Sequence, residues 1–398
     1  MTASPKELLA KARALAPTIM AEAPKNEAGG RLSDATVAAL RSGDFFSLMI
    51  PKVFGGAEAS PTEALEIIEA LAYADASTGW VTMAAGVCTG MAAAYLGEAG
   101  AKEVFTDKGR IPVICGQGQA NGRAEIEGNG YRLTGKWSYG SGVLHSDFLH
   151  SGAAVYEKGK PRLTPHGEPE ILTFIVPTRE AKMLGNWNVM GLRATGSVDY
   201  ALENVFVPAD HTHPADSTDP VRGGGFYRMG IIGMTSLGHT GFTMGVGRRL
   251  LDELAAFAQK RGPARGHLPA LADNTSFREQ FGHAEAEMRA ARAFCMEAWR
   301  DVEAALDRGD KLSTRQITLL RLALNHITTV TAEVANFAYV TGGGAALRDS
   351  AIQRYFRDMY AGTQHFLTRS HVLAECGREL AGLAPGQEWT LLGLADPR

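Results

Sequence analysis

Apolar residues recur three or four positions apart in the first and last parts of the chain, which is the spacing of amphipathic helices. In the first part this spacing predicts helices over 5–23, from Ser33 onward and from Ser60 onward, each serine being a favoured N-cap. In the last part the predicted helices are 227–261, 274–308, 313–341 and 350–381. Because the links between these four are short, we expect an up-down bundle of antiparallel helices.

The middle of the chain instead carries short runs of alternating apolar and polar residues, separated by Gly, Asn and Pro. Alternation of this kind is typical of half-buried strands. The predicted strands are 111–115, 123–126, 131–137, 147–156, 171–176 and 198–207, with a hairpin turn at Asn129-Gly130. Since no helical pattern interrupts them, we expect a small antiparallel barrel or sandwich.

These patterns together predict an α+β chain of three domains. The first is a helical domain over 1–110, the second a β domain over 111–222, and the third a helix bundle over 223–398. At 398 residues the chain is long enough for two or three domains.

The segment 75–97 is rich in alanine and glycine and nearly uncharged, so its helix must be buried on most sides. Tight helix packing and the wall of a ligand pocket are both open interpretations of it. Cys88 within this segment is expected to be an inert buried thiol. The glycine-rich run 116–122 precedes strands rather than a helix, so it is not a dinucleotide fingerprint; a simple turn and a loop that binds a polar heterocycle both fit it.

Composition and charge narrow the class of protein. The formal net charge of −3 provides no basic field, so we expect neither nucleic acid nor an anionic membrane as a partner. No apolar run approaches the ~20 residues of a membrane helix, and the N-terminal stretch has no secretory signal core. The four cysteines lie far apart without a C-x-x-C pair, so we expect no disulfide framework, no metal site and a cytoplasmic protein.

Three polar clusters are candidates for a chemical role. Ser141 is followed by Gly142 and a strand, so it lacks the strand-turn-helix elbow of a hydrolase nucleophile. His211 and His213 lie in a proline-rich stretch, for which a solvated linker is favoured over a metal site. The polar, glycine-containing segment 186–197 is interpreted either as a loop at a bound ligand or as a crossing loop.

Two motifs occur in the same order along this chain as in a known protein family. Gly343-Gly344, followed by Arg357-Asp358 and then Tyr-Ala-Gly-Thr at 360–363, resembles the C-terminal signature of the acyl-CoA dehydrogenases. The segment 191–197 with Asn-Val-Phe-Val-Pro at 204–208 resembles the exit of their middle domain. The resemblance spans nearly the whole chain. It implies an N-terminal helical domain, a middle antiparallel β-barrel, a C-terminal four-helix bundle and a homotetramer.

Within that fold the resemblance favours oxygenation over dehydrogenation. Acyl-CoA dehydrogenases commonly place a glutamate base before the Gly-Thr step, where this chain has Ala361, or on the first bundle helix near Thr235, where it also has no carboxylate. The two-component flavin monooxygenases are more similar. Their Arg-Ala-Thr-Gly-Ser corresponds to 193–197, their Ser-Gly to Ser141-Gly142, and their histidine to His365.

This resemblance implies reduced FMN or FAD, supplied by a separate flavin reductase, and O2 as co-substrates. A C4a-hydroperoxide of the flavin would then hydroxylate a small aromatic substrate, phenolic or indole-like. Ser141 is expected to act near flavin N5. His365, with an ordinary pKa near 6.5, is expected to hold or protonate the peroxide or to deprotonate the substrate.

The resemblance also implies contact residues. The predicted flavin contacts are Gln117, Trp137, Ser138, Ser141, Arg261, Gly343, Gly344 and Thr363. The predicted substrate pocket consists of Trp80, Met83, Cys88 and Met234. Two alternatives are open: an acyl-CoA dehydrogenase with a relocated base, and a non-catalytic member that binds flavin or acts as an assembly partner. The choice among C-, N- and S-oxygenation is also open.

Overall fold

The computed structural model describes residues 3–106, 110–260 and 270–397. Its contacts divide the chain into two compact units. The sheet unit comprises Met1–Ile67, Trp80–Asn188 and Arg193–Gly238, and the bundle unit comprises Ile68–Gly79, Val189–Leu192 and His239–Arg398. Because each unit joins segments that are distant in sequence, the units do not test the three predicted domain boundaries, which stay a prediction.

The N-terminal part is helical, as the apolar spacing predicted. Its described α-helices are α1 (Pro5–Gly29), α2 (Asp34–Ser42), α3 (Pro61–Ala74), α4 (Ala76–Tyr95) and α5 (Glu98–Phe105). The predicted end of α1 near Pro24 is wrong, because the buried face that includes Ile19 and Ala23 continues to Asn26 and tertiary packing outweighs the local preference.

The predicted strands form one sheet within the described residues. Its strands are β1 (Ile114–Glu127), β2 (Gly130–Trp137), β3 (Phe148–Glu157), β4 (Lys160–Pro161), β5 (Ile171–Pro177), β6 (Lys182–Met183), β7 (Tyr200–Pro208) and β8 (Thr212–Pro214). The order is β6-β7-β2-β1-β3-β5-β8, with β4 paired to β3. The antiparallel prediction is confirmed for every described pair except β1 with β3, which run parallel.

Two expectations for the middle of the chain are corrected. The glycine-rich run 116–122 is not a simple turn, because it lies inside β1, where the register with β3 shifts between Gln117 and Gly122; its binding of a polar heterocycle stays a prediction. The solvated-linker interpretation is also wrong. His213 belongs to β8, which pairs with β5, and both His211 and His213 are buried.

The C-terminal part is helical and closes with a short hairpin. Its described elements are α6 (Gly230–Lys260), α7 (Thr275–Asp307), α8 (Thr314–Gly342), α9 (Ala351–Gly362), α10 (Ser370–Leu380), β9 (Glu388–Trp389) and β10 (Leu394–Ala395). In the bundle unit α7, α9 and α10 all pack against α8. None of the described helices is both long enough and apolar enough to span a membrane.

The single helix predicted over 350–381 is wrong, because the chain leaves the helical path at 363–369, between α9 and α10. The hydroxyl of Thr368 donates to the carbonyl oxygens of Thr363 and His365, at 3.1 and 2.9 Å. Such local side-chain bonds offer the backbone an alternative to the helix ladder. The break places His365 on an irregular connection.

Candidate active site

The predicted site residues fall into two groups, one in each unit, and each group has its own geometry. In the sheet unit, Ser141 lies in the turn that follows β2. That turn is held by two backbone hydrogen bonds: the N–H of Gly140 donates to the Val198 carbonyl at 3.2 Å, and the N–H of Gly142 donates to the Thr195 carbonyl at 3.0 Å. Ser141 is therefore fixed to the segment that carries the Arg-Ala-Thr-Gly-Ser motif.

A chain of hydroxyl groups extends from Ser141. Its Oγ lies 2.8 Å from Oγ of Ser197, which in turn lies 2.6 Å from Oγ1 of Thr195. The indole N–H of Trp80, on α4, donates to Ser141 Oγ at 3.0 Å. Thr195 and Ser197 are buried, whereas Ser141 is partly exposed. The sequence suggested both motifs, but it gave no sign that their hydroxyls are hydrogen-bond partners.

The other predicted flavin contacts of the sheet unit differ in accessibility. Gln117 and Ser138 are partly exposed, and the N–H of Gln117 donates to the Tyr200 hydroxyl at 3.3 Å. Trp137 is fully buried, stacks on Tyr200 and donates its indole N–H to the Gly152 carbonyl at 2.9 Å. Trp137 thus has a structural role in the sheet, and its assignment to the flavin stays a prediction.

Two of the predicted substrate pocket residues, Met83 and Met234, lie where α4 contacts the N-terminal part of α6. Met83 packs against Gly238, and Met234 approaches Gly90. Cys88 is buried, and burial raises the pKa of its thiol to about 12. These observations agree with an inert thiol and with tight helix packing. The substrate-binding role of these residues stays a prediction.

In the bundle unit the Arg-Asp pair anchors the loop 189–192. The Asp358 carboxylate accepts the Leu192 N–H at 2.6 Å, and an Arg357 guanidinium N–H donates to the Met190 carbonyl at 2.8 Å. The loop passes so close that a Cβ on Gly191 would lie 2.0 Å from the Arg357 carbonyl oxygen. Of the two interpretations of this segment, the geometry favours a crossing loop here.

His365 is partly exposed, and its ring nitrogen Nδ1 accepts the Leu367 N–H at 3.5 Å. A neutral ring that accepts at Nδ1 carries its proton on Nε2. The surrounding protein, and secondarily the Arg369 guanidinium, lower the pKa of His365 to about 4. The expectation of an ordinary pKa near 6.5 is therefore wrong, and at neutral pH His365 is an uncharged imidazole.

A second histidine, His239, was missed by the sequence analysis. It lies on α6, one helical turn after Thr235, and it is buried. Its ring centroid lies 3.9 Å from that of His365, with the planes tilted by 32°. The sequence did contain a signal for it. His239 lies four residues after Thr235, the alternative position of a dehydrogenase base, and residues four apart lie on the same face of a helix.

The remaining predicted contacts of the bundle unit are near chain turns. Thr363 follows α9, and its hydroxyl donates to the Tyr360 carbonyl at 2.7 Å. Gly343 and Gly344 are exposed in a single helical turn after α8. Arg261 lies outside the described residues. The structure thus groups Ser141 with Trp80, and Thr363 with His365.

The donor set of the sheet unit fits a flavin. An isoalloxazine ring presents carbonyl oxygens and ring nitrogens to its protein, which tunes it through hydrogen bonds at those atoms. Ser141 offers a partly exposed hydroxyl whose oxygen already accepts from Trp80, so its own proton is directed either to Ser197 or to a bound acceptor. No group of three metal-ligating side chains occurs within the described residues.

Comparison with known proteins extends this description. The models of the acyl-CoA dehydrogenase N-terminal and C-terminal domains match residues 2–107 and 237–370. Indole-3-acetate monooxygenase of Pseudomonas putida is 30% identical, over 89% of this chain and 88% of its own. The oxygenase component of FADH(2)-dependent resorcinol hydroxylase from Rhizobium sp. is 27% identical, over 95% of each chain. The structure of XiaF from Streptomyces sp. in complex with FADH2 and glycerol matches at 25% identity with a TM-score of 0.85, over 96% of each chain.

The helices, the mostly antiparallel sheet and the C-terminal helices define an acyl-CoA dehydrogenase-like fold, which confirms the predicted fold class. Within that class, the chain belongs to the family of flavin-dependent monooxygenases. It is accordingly an oxidoreductase.

Proposed function

We propose that this chain is the oxygenase component of a two-component monooxygenase that hydroxylates a small phenolic or indole-like aromatic compound. It uses O2 and reduced FMN or FAD, and a separate flavin reductase supplies the reduced flavin. Support comes from relatives that are named as monooxygenases of indole-3-acetate and resorcinol, one of them an oxygenase component that depends on FADH(2).

The residue at position 361 is the observation that favours oxygenation over dehydrogenation within this fold. The position before the Gly-Thr step holds Ala361, at the end of α9, and the next ionisable group along the chain is His365. Ala361 has no group that can remove a proton from a thioester substrate, whereas a neutral imidazole can either donate or accept one. The residue at this position therefore supports a reaction in which His365 donates or accepts a proton, rather than removal of a proton from an acyl thioester.

Reduced flavin, when bound, supplies the electrons with which O2 becomes an oxygen-transfer reagent. The role of Ser141 is to donate its hydroxyl proton to the polar edge of the flavin ring. Trp80 fixes the orientation of that hydroxyl, because its indole N–H occupies one lone pair of Ser141 Oγ. The hydroxyls of Ser197 and Thr195 hold the other side in place.

The role of His365 is set by its protonation. Because Nδ1 accepts the Leu367 N–H, the proton of the neutral ring lies on Nε2. Its low pKa makes imidazolium scarce at neutral pH, so in this tautomer His365 serves as a hydrogen-bond donor. Action as a base toward a phenol or indole proton requires the other tautomer, in which Nε2 carries no proton. Within the sheet unit, the uncharged α4 helps to exclude water beside Ser141.

The test of this function is oxygen incorporation. The purified chain is mixed with a general NAD(P)H-dependent flavin reductase, FMN or FAD, 18O2 and a panel containing phenol, resorcinol, indole and indole-3-acetate. We expect one 18O atom in the hydroxylated product of at least one compound. Absence of label from every product, together with bleaching of bound oxidised FAD by an acyl-CoA, would show a dehydrogenase instead.

Assembly and location are part of the same proposal. The resemblance supports a homotetramer that meets its reductase only transiently, through diffusing flavin, and works in the cytoplasm. Light scattering after size exclusion should give four times the 42.4 kDa chain mass. Addition of the reductase should leave that mass unchanged; a stable larger complex would contradict transient contact.

A further inference from the structure

Two buried histidines of the sheet unit, His150 on β3 and His213 on β8, lie side by side. Their ring centroids are 6.0 Å apart, with the ring planes at 63°. Their exposed fractions are 0% and 2%. Burial lowers the pKa of His150 to about 3 and that of His213 to about 4, so both rings are uncharged at neutral pH. The proposed reaction uses neither of them.

Three ring nitrogens of this pair have no hydrogen-bond partner within the described residues: Nδ1 and Nε2 of His150, and Nε2 of His213. The Cys88 carbonyl faces the ring of His150 and favours its charged form to a minor extent, but not at hydrogen-bond geometry. Nδ1 of His213 lies 2.9 Å from the Pro214 carbonyl oxygen and donates to it, so Nε2 of that ring is an acceptor. Buried polar atoms without partners are unfavourable, so these nitrogens mark a place for a hydrogen-bonding group.

His150 adjoins residues that were assigned to substrate and flavin from the sequence. Cys88, whose carbonyl faces the ring, is a predicted pocket residue. In the pairing of β1 with β3, the predicted flavin contact Gln117 lies opposite Ser151, the residue after His150. The histidine pair is therefore placed beside the region in which the proposed function needs its substrate.

Gly118 lies next to Nε2 of His150 and presents no side chain to it. A Cβ at this position would lie 3.3 Å from Nε2 of His150 and 3.1 Å from Cδ1 of Ile231. Gly118 and Ile231 are both partly exposed, so a small molecule can approach the buried nitrogen from their side. A side chain at position 118 would occupy that approach.

The two rings favour a hydroxyl group as their ligand. A phenol hydroxyl can donate to Nε2 of His213 and accept from the N–H of His150. The rings are close enough for a single oxygen atom to lie about 3 Å from a nitrogen of each. An indole N–H only donates, so it would satisfy one nitrogen. A carboxylate only accepts, so it would leave Nε2 of His213 without a partner.

We propose that His150 and His213 form the end of the substrate pocket that binds the hydroxyl group of a phenolic substrate. This site, which rests on the proposed function, selects phenols over indoles within the class proposed there. The two histidines position the substrate and transfer no proton.

The test is equilibrium binding of phenol and toluene to the full chain, measured by isothermal titration calorimetry at neutral pH without flavin. Toluene has nearly the same shape, with a methyl group in place of the hydroxyl. The ratio of phenol affinity to toluene affinity should fall about tenfold in His150→Leu and in His213→Leu, as expected for the loss of one hydrogen bond. It should be unchanged in the exposed-site control His326→Ala.

Gly118→Ala tests the same site with both histidines in place, and it decides the question if the leucine variants do not fold. Its methyl group enters the approach to Nε2 of His150, so phenol should bind about tenfold more weakly. In wild-type protein labelled with 15N at histidine, phenol should shift the ring signals of His150 and His213, and toluene should not.

An unchanged affinity ratio in both leucine variants, or ring signals that phenol does not shift, would overturn the proposal; the nitrogens would then bind an ordered water molecule only. Failure of the proposed function is distinguishable. In that case phenol would still bind with the same dependence on His150 and His213, but the wild-type chain would give no 18O-labelled product.

Discussion

At the scale of single residues, the two candidate catalytic groups are prepared in different ways. Ser141 is held by an indole N–H and by a neighbouring hydroxyl, so hydrogen bonds fix its direction. His365 is held by ring packing, and its surroundings keep it uncharged. Replacing His365 should therefore lower the product yield, and replacing Ser141 should speed the release of peroxide.

His365→Ala removes the donor and base that the proposed reaction requires. We expect product formation per reduced flavin to fall by about 10²–10⁴, the range typical of a general acid or base. The yield is measured in single turnover, with the exposed-site variant His326→Ala as control. An intact yield in His365→Ala would exclude the catalytic role.

Ser141→Ala removes a hydroxyl that is expected to stabilise the oxygenated flavin. Loss of one hydrogen bond of about 1.4 kcal/mol corresponds to tenfold faster release of hydrogen peroxide. Peroxide is measured beside hydroxylated product. The exposed-site variant His326→Ala is the control; peroxide release from Ser141→Ala at the wild-type level would contradict the proposed role of Ser141.

At the scale of elements, α4 shows how composition determines packing. A Cβ on Gly90 would lie 2.6 Å from the Met49 carbonyl oxygen, a backbone atom that cannot move aside easily. On the same helix, a Cβ on Gly86 would meet only the flexible thioether of Met49, at 3.2 Å. The two glycines therefore form a natural pair for comparison.

Gly90→Ala should lower the free energy of unfolding by about 1–3 kcal/mol, as overpacking of a core does. Gly86→Ala should be neutral or slightly stabilising, because alanine favours the helix by up to about 1 kcal/mol and the methionine can adjust. Urea unfolding measures both. A Gly90→Ala variant as stable as the wild type would show that α4 is not tightly packed at this point.

The elements also show what can be predicted from sequence and why. The helix starting at Asp34 follows from a local rule, since a serine cap acts within a few residues. The hairpin between β1 and β2 was also predicted, but its turn residues are Gly128 and Asn129, because Gly130 already pairs with Glu127. The break after α9 was missed because it depends on the Thr368 hydroxyl bonding to the backbone.

Only part of the candidate site could be predicted from the sequence. Ser141 and His365 were found through the family resemblance, whereas His239 and Ser197 matter only through contacts with residues more than fifty positions away. Periodicity places a residue on a face of its element, but it does not say which distant side chain meets that face.

At the scale of the whole molecule, buried histidines link folding to pH. Burial lowers the pKa of His150 to about 3 and that of His213 to about 4, both below the ordinary value of 6.5 that applies to the unfolded chain. For each group the unfolded state binds more protons below pH 6.5. Their contribution to stability is therefore complete above pH 6.5 and is lost as the pH falls toward 4 and 3.

We accordingly expect the free energy of unfolding to decrease between pH 6.5 and 4, by up to about 1.4 kcal/mol per pH unit for each buried histidine. Urea unfolding at half-unit steps measures the slope. His213→Phe keeps a ring next to Tyr95 and removes one titrating group. The free energy of unfolding should then change less steeply with pH, by up to about 1.4 kcal/mol per pH unit. A slope of zero in the wild type over this range would contradict the account.

The central claim is that this chain stabilises an oxygenated flavin. Its most direct test is stopped-flow mixing of the chain and reduced flavin with O2 in the absence of substrate. We expect a long-lived absorbance of the flavin–oxygen adduct before oxidised flavin appears. Direct formation of oxidised flavin, at the rate of free reduced flavin, would contradict it.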